Sequence, residues 1–353
     1  MYKTTLTLTG LAFAAATAVG LAASPVQAED MVFVSWGGAY QESQREAYVK
    51  PFAKETGINV IEEEYSGEIA KIKAMVAAGD VTWDVVDVDF NTAIAGCDEG
   101  FFEELDYDRI GQPVDKFVPN GALDCAVGTI VYSTVFAYDA DVITSNPPTT
   151  IADLFDIETW PGKRGLQKSA FVNMEWALLA DGVPMDEVYD VLSTEEGIAR
   201  AFAKLDTIKD SVVWWEAGAQ PPQLLSDGEV LMTSAWNGRI YGATKNEGKN
   251  FVIVWDAQGF DFDYFAIPKG TSRLDTAYKF LAFASDPAVM ATQSQYISYG
   301  PVHMDAIPHI PEGILKDLPT APENSANVLY VDSYWWADNR EDMEKRFAAW
   351  LAQ

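Results

Sequence analysis

The sequence predicts an α/β fold arranged as two lobes. Three features carry this reading. The chain has 353 residues, which is roughly twice a common single domain. Short apolar strands alternate with helical periods. The strand–helix–strand spacing matches the crossover units of a parallel sheet.

The elements follow in order. Met31-Val32-Phe33-Val34 is a buried strand ended by the turn Gly37-Gly38. A helix runs through Tyr48, Val49 and Phe52 and stops at Gly57, where only glycine easily turns left-handed. Ile58–Ile61 is the next strand. Ile69, Ile72, Met75 and Val76 fall at helical spacing up to Gly79-Asp80, and Trp83–Val88 is the third strand. Further strands are expected at Thr129–Phe136, Val230–Ala235, Phe251–Val254 and Tyr264–Ile267. Helices are expected at Phe171–Ala180, Thr194–Ile208, Leu274–Ala284, Pro287–Tyr296 and Asp342–Leu351.

Composition narrows the function. An apolar share of 48% with 22% charged residues suits a chain that buries a core. With 53 acidic against 24 basic residues the net charge is −29, which excludes a basic nucleic-acid groove. Two histidines leave little room for histidine catalysis or a histidine-rich metal site. Residues 1–28 have the features of an export signal: Lys3, an apolar run from Leu11 to Ala23, and Val26-Gln27-Ala28 for cleavage after Ala28. Export to an oxidising compartment predicts a disulfide between the only two cysteines, Cys97 and Cys125.

In α/β sheets ligands bind beyond the carboxyl ends of strands, so the residues there are candidates. After the first strand come Trp36 and Tyr40, flanking the glycine turn. After the third come Asp87, Asp89 and Asn91, and further on Trp236-Asn237-Gly238-Arg239. Asp261 and Asp263 precede Tyr264–Ile267, and Tyr299-Gly300-Pro301 follows a helix. Aromatic faces attract cations and carboxylates pair with them, so the expected ligand carries positive charge.

The chain resembles the periplasmic solute-binding proteins of ABC importers, of the spermidine/putrescine-binding group. The resemblance rests on the Trp36–Tyr40 opening and Lys54-Glu55-Thr56-Gly57-Ile58-Asn59-Val60. It also rests on Trp83-Asp84-Val85-Val86, Trp236-Asn237-Gly238, Asp263-Tyr264-Phe265-Ala266-Ile267-Pro268 and Tyr299-Gly300-Pro301. It implies a type II binding-protein fold, with lobe 1 at 29–137 plus 258–302 and lobe 2 at 138–257 plus 303–353. The implied function is capture of an organic cation, a polyamine or related amine, in the periplasm and its delivery to a membrane permease.

Residue by residue, the resemblance places Trp36, Tyr40, Trp236, Asp263 and Tyr299 in the ligand site. Asp89 and Asn91 stand where the family has Ser and Tyr, and Asp261 stands where it has Trp. Two acidic positions of the second lobe fall on Ser169 and Val172, with Glu175 out of register. The expected set is therefore Trp36, Tyr40, Asp89, Asn91, Ser169, Glu216, Trp236, Asp261, Asp263 and Tyr299, with Glu216 as a second-lobe carboxylate from another segment. Loss of the two acids predicts a shorter cation, or one with a single charged end, over spermidine. Thiamine, an amino acid, a quaternary amine and ferric iron remain open as ligands. A hydrolase using paired carboxylates is the rival of another class; GxSxG, HExxH, P-loop and CxxC segments are absent from the sequence. No catalytic residue, cofactor, metal or nucleic acid is expected, and the chain is read as a monomer.

Overall fold

A computed structural model describes residues 1–2 and 30–353. Residues 3–28 of the expected export signal, and the cleavage point after Ala28, lie outside the described residues. Among the described residues no helix is long and apolar enough to cross a membrane.

Eleven strands join in one sheet among these residues: β1 (Met31–Ser35), β2 (Val60–Glu64), β3 (Val85–Asp89), β4 (Ala122–Leu123), β5 (Ala126–Asp139), β6 (Arg164–Gln167), β7 (Val212–Trp215), β8 (Met232–Trp236), β9 (Phe251–Ala266), β10 (Gly300–Pro301) and β11 (Val328–Tyr330). The main path runs β2-β1-β3-β9-β5-β8-β6-β7. At one end β1 pairs β2 and β3 in parallel, and at the other β6 pairs β7 and β8 in parallel. Antiparallel β5 and β9 lie between and belong to both halves.

Side-chain alternation then builds a core on each face of the sheet. In the first lobe Phe33, Val85, Phe265 and Phe280 share one cluster, while Val34, Val86, Tyr264 and Trp83 share the other. In the second lobe Phe136, Leu166 and Met232 pack on one face and Ala137, Ala235 and Ile240 on the opposite one. Between the lobes the β5–β9 register jumps from Thr134↔Gly259 to Phe136↔Val254. The extra residues of β9 bulge out, with Ala257 at φ 55°. The Trp176 indole donates to the Ala257 carbonyl at 2.8 Å, and the Ala257 N–H donates to Asn327 at 3.0 Å.

Several expectations are corrected. Phe251–Val254 and Tyr264–Ile267 are two ends of the single 16-residue strand β9; the polar stretch between them is where the strand crosses from lobe to lobe. β5 is longer than expected at both ends, and β6 and β7 are additional to the strands expected. The last helix begins at Ser333, not Asp342, with the Asp332 carboxylate capping the Trp335 N–H at 2.9 Å. The segment 303–318, expected in the second lobe, packs on the first: Ala306, Ile310 and Leu318 share a cluster with Phe33 and Phe265. The helix Ser333–Leu351 buries its apolar residues Trp336, Met343, Phe347 and Trp350 in the second-lobe core, as does Leu329 of β11. Cys97 and Cys125 form the disulfide, tying the helix Phe90–Asp98 to the start of β5.

Candidate ligand-binding site

β1 delivers Trp36 to a turn made by Gly37 and Gly38, at φ 62° and 56°, values that a side chain rarely adopts. A Cβ on Gly37 would sit 2.7 Å from the Glu64 carboxylate and one on Gly38 2.8 Å from the Arg239 guanidinium, so either would also push a charged side-chain end aside. Tyr40 follows on the helix Gly38–Gln44. At the end of β3, the buried Asp87 carboxylate accepts from the Trp36 indole at 3.0 Å and the Tyr40 hydroxyl at 2.8 Å, and also from Gln44. Asp87 orients the aromatics and does not itself line the cavity.

Asp89 and Asp263 face one another across β3 and β9. Asp89 caps the helix Phe90–Asp98 by accepting from the Thr92 N–H at 2.7 Å, and its other oxygen pairs with Arg340 at 3.0 Å. Burial pushes the Asp89 carboxyl up, but the Arg340 charge and the Thr92 bonds together hold it below the usual carboxylate range. Asp263 has no such ion pair among the described residues. Burial first, then the nearby charges of Asp87, Asp261 and Asp89, raise its carboxyl well above the ordinary value.

Arg239 is the opposite case. It projects from the helix Asn237–Glu247 after β8 and is buried. Its guanidinium donates to the carbonyls of Gly37 at 2.7 Å and Trp36 at 3.2 Å, and lies over the rings of Trp236 and Tyr40 at 5.6 and 5.9 Å. Its Nε–H has no acceptor, and among the described residues no carboxylate pairs with it. The neighbouring Asn237 is structural: it accepts from the Ser133 N–H at 3.0 Å and donates to the Ser298 carbonyl at 2.7 Å.

These groups meet around a cavity of about 70 Å³ lined by Trp36, Tyr40, Ser66, Gly67, Asp89, Tyr132, Gln167, Ser169, Phe171, Trp236, Arg239, Asp263, Tyr299 and Arg340. Trp36 and Trp236 stand edge to face at 6.0 Å, and Tyr40 and Tyr299 at 5.3 Å. Seven residues expected from the sequence therefore meet: Trp36, Tyr40, Asp89, Ser169, Trp236, Asp263 and Tyr299. The Ser169 hydroxyl is engaged by Glu344 of the last helix.

Three expected residues are not among the lining. Glu216 is exposed and pairs with Lys168 at 2.7 Å. Asn91 is buried in the first turn of its helix, its amide without partners. Asp261 is buried, accepts from Tyr132 at 3.2 Å and lines a neighbouring cavity of about 680 Å³ whose other residues are mostly apolar, among them Phe260, Phe262, Ile310 and Leu318. Glu175 also stays away, accepting from the Trp336 indole at 2.6 Å and Tyr189 at 2.9 Å. The expected ligand set lacks Arg239 and Arg340. The first had a signal, a basic side chain directly after Trp-Asn-Gly in a strongly acidic chain; the second lies just before the expected helix start.

The two-lobed sheet and the cleft between its halves agree with the sequence comparison. The profile of the family described as "Bacterial extracellular solute-binding protein" matches residues 47–323. The chain belongs to this family. The "Gamma-aminobutyric acid-binding protein" of Pseudomonas aeruginosa is 46% identical to this binding protein over 99% of this chain and 96% of its own length. Among solved structures, the periplasmic binding protein MotA from A. tumefaciens B6 in complex with glucopine shares 34% identity and a TM-score of 0.85, covering 91% of this chain and 99% of its own. The Atu4243 GABA receptor shares 37% identity and a TM-score of 0.80, covering 92% of this chain and 98% of its own. This binding protein is accordingly the solute-binding component of an ABC transporter, which hands a small ligand to a permease, and not an enzyme.

Proposed function

We propose that the ligand is a small zwitterion with separated charges, an ω-amino acid, with γ-aminobutyric acid (GABA) as the first candidate. One observation carries this reading: Arg239, a buried cation with a free N–H, and Asp263, a buried carboxyl without a cationic partner, line the same cavity. Burial makes an unpaired charge costly, so each group favours a ligand of opposite sign. The ligand's carboxylate meets Arg239; its ammonium meets Asp263 and the faces of Trp36, Tyr40 and Trp236. The expectation of a polyamine loses support for the same reason, since two guanidinium groups, Arg239 and Arg340, line the cavity. The names of two relatives point the same way.

Export through residues 1–28, with cleavage after Ala28, places the chain in the periplasm. There it acts as a monomer. Ligand touches both lobes only when they approach, so binding favours the closed form about the segments 136–139 and 255–259. No covalent step occurs on this chain.

Calorimetric titration with GABA, putrescine, spermidine, thiamine and glycine betaine tests the reading. GABA is expected to bind at least tenfold tighter than either polyamine. A polyamine that outcompetes GABA, or GABA that does not bind, refutes it.

A further inference from the structure

The Asp89–Arg340 pair spans the cleft. Asp89 ends β3 in the first lobe, whereas Arg340 sits on the helix Ser333–Leu351, whose Trp336, Met343 and Phe347 are anchored in the second-lobe core. The guanidinium meets the Asp89 carboxylate at 3.0 Å and lines the same cavity as Asp263. Asp89 and Asp263 are cross-strand partners and thus form the two carboxylates that a ligand with two ammonium groups would need. One of them is already neutralised from within the chain.

We propose that Arg340 is a specificity-determining residue: it takes the place of a second ligand ammonium on Asp89, so that the site accepts ligands with one ammonium group and rejects diamines. This rests on the reading of the ligand as carrying one ammonium. A diamine entering the cleft finds Asp263 open, but its second charge meets the Arg340 guanidinium instead of a free carboxylate. Like charges brought together in a water-poor cleft repel, and such repulsion excludes the wrong ligand more effectively than an added contact selects the right one. With 37% of its side chain accessible, Arg340 lines the cavity where an entering ligand meets it.

Arg340→Gln and Arg340→Met, the latter keeping an apolar stem, are titrated with putrescine and with GABA, alongside the double variant Asp89→Asn/Arg340→Gln. Both single variants are expected to bind putrescine at least tenfold tighter than the native protein, while the double variant returns to the native value because the carboxylate is gone. Putrescine affinity unchanged in the single variants, or an equal gain in the double variant, overturns the proposal. Loss of a cooperative thermal transition in both single variants assigns Arg340 a purely structural role and also overturns it. Native protein that fails to bind GABA refutes the proposed ligand alone, since the gain in putrescine binding is read independently.

Discussion

Tyr40 donates its phenolic hydrogen to Asp87 at 2.8 Å, fastening a ring that faces the cleft to the end of the third strand. The Trp36 indole is held by the other oxygen of the same carboxylate at 3.0 Å. One buried side chain thus fixes two of the rings that line the cavity.

Removing that side chain leaves buried donors without an acceptor. Asp87→Ala is expected to lower unfolding free energy by several kcal/mol, because three donors (Trp36, Tyr40 and Gln44) left unpaired cost about 1–3 kcal/mol each, partly offset by no longer burying a carboxyl. Asp87→Asn, which keeps one acceptor oxygen, loses less. Urea denaturation of the ligand-free protein measures both; an Asp87→Ala variant as stable as the native chain would contradict the role.

Arg239 and Asp263 should behave differently from Asp87. Each is a buried charge-bearing group without an ionic partner, so neutralising it should weaken ligand binding far more than folding. Arg239→Gln and Asp263→Asn are each expected to cost about 2–5 kcal/mol of GABA affinity, the typical loss when one side of a buried charge pair is removed. Apo stability should hold or rise in Asp263→Asn, and in Arg239→Gln fall by no more than the lost bonds to the Gly37 and Trp36 carbonyls. Calorimetry with a parallel thermal melt separates the two, and intact affinity in a folded Asp263→Asn variant would remove Asp263 from the site.

Binding should also release a proton. Burial, then Asp87, Asp261 and Asp89, keep the empty-site Asp263 carboxyl well above the usual range, and an arriving ammonium favours its ionised form. Affinity is therefore flat above the empty-site pKa and falls as pH drops through it, by up to about tenfold per pH unit. Titrations in buffers of different ionisation enthalpy, run at neutral pH and below, count the protons. Net uptake on binding would be incompatible with this arrangement.

Glu175 supplies a stability test remote from the cavity. Burial pushes its carboxyl from 4.5 up to about 7, against the pull of bonds from Trp336 and Tyr189. The folded-state pKa is raised, so the native state holds the extra proton between these values, and stability is lost as pH rises toward 7. The loss is up to about 3 kcal/mol, accumulating at about 1.4 kcal/mol for each pH unit between the two values. Glu175→Gln should flatten the profile from pH 5 to 7 and be the more stable protein at pH 7. Parallel denaturation curves for variant and native chain across that range would argue against it.

Much of the fold was legible because its causes are local. Adjacent apolar residues, as in Phe33 and Val34, sort themselves to opposite faces of a strand whatever the rest of the chain does. Trp36, Tyr40 and Trp236 could be named because an α/β topology places strand ends at the cleft, whereas Asp263, inside β9, and Tyr299, after a helix, rest on the family resemblance. β9 reads as two strands in the sequence for an equally physical reason: its central residues follow the crossing between lobes, where no single apolar face governs the pattern.

What the chain order alone determined, then, is the α/β class, the strand ends that gather the aromatics, and a cysteine pair positioned for a disulfide. Which charges the cleft leaves unpaired was decided by tertiary structure. Three aspartates read in sequence imply a cation, but their effective charge depends on which distant groups reach them. Arg340, 251 residues away, neutralises Asp89. Tyr132 holds Asp261 beside another cavity, and Arg239 is turned into the site by the carbonyls of Trp36 and Gly37. Charge acts through space and is weighted by burial, and neither the distances nor the burial is written in the order of residues.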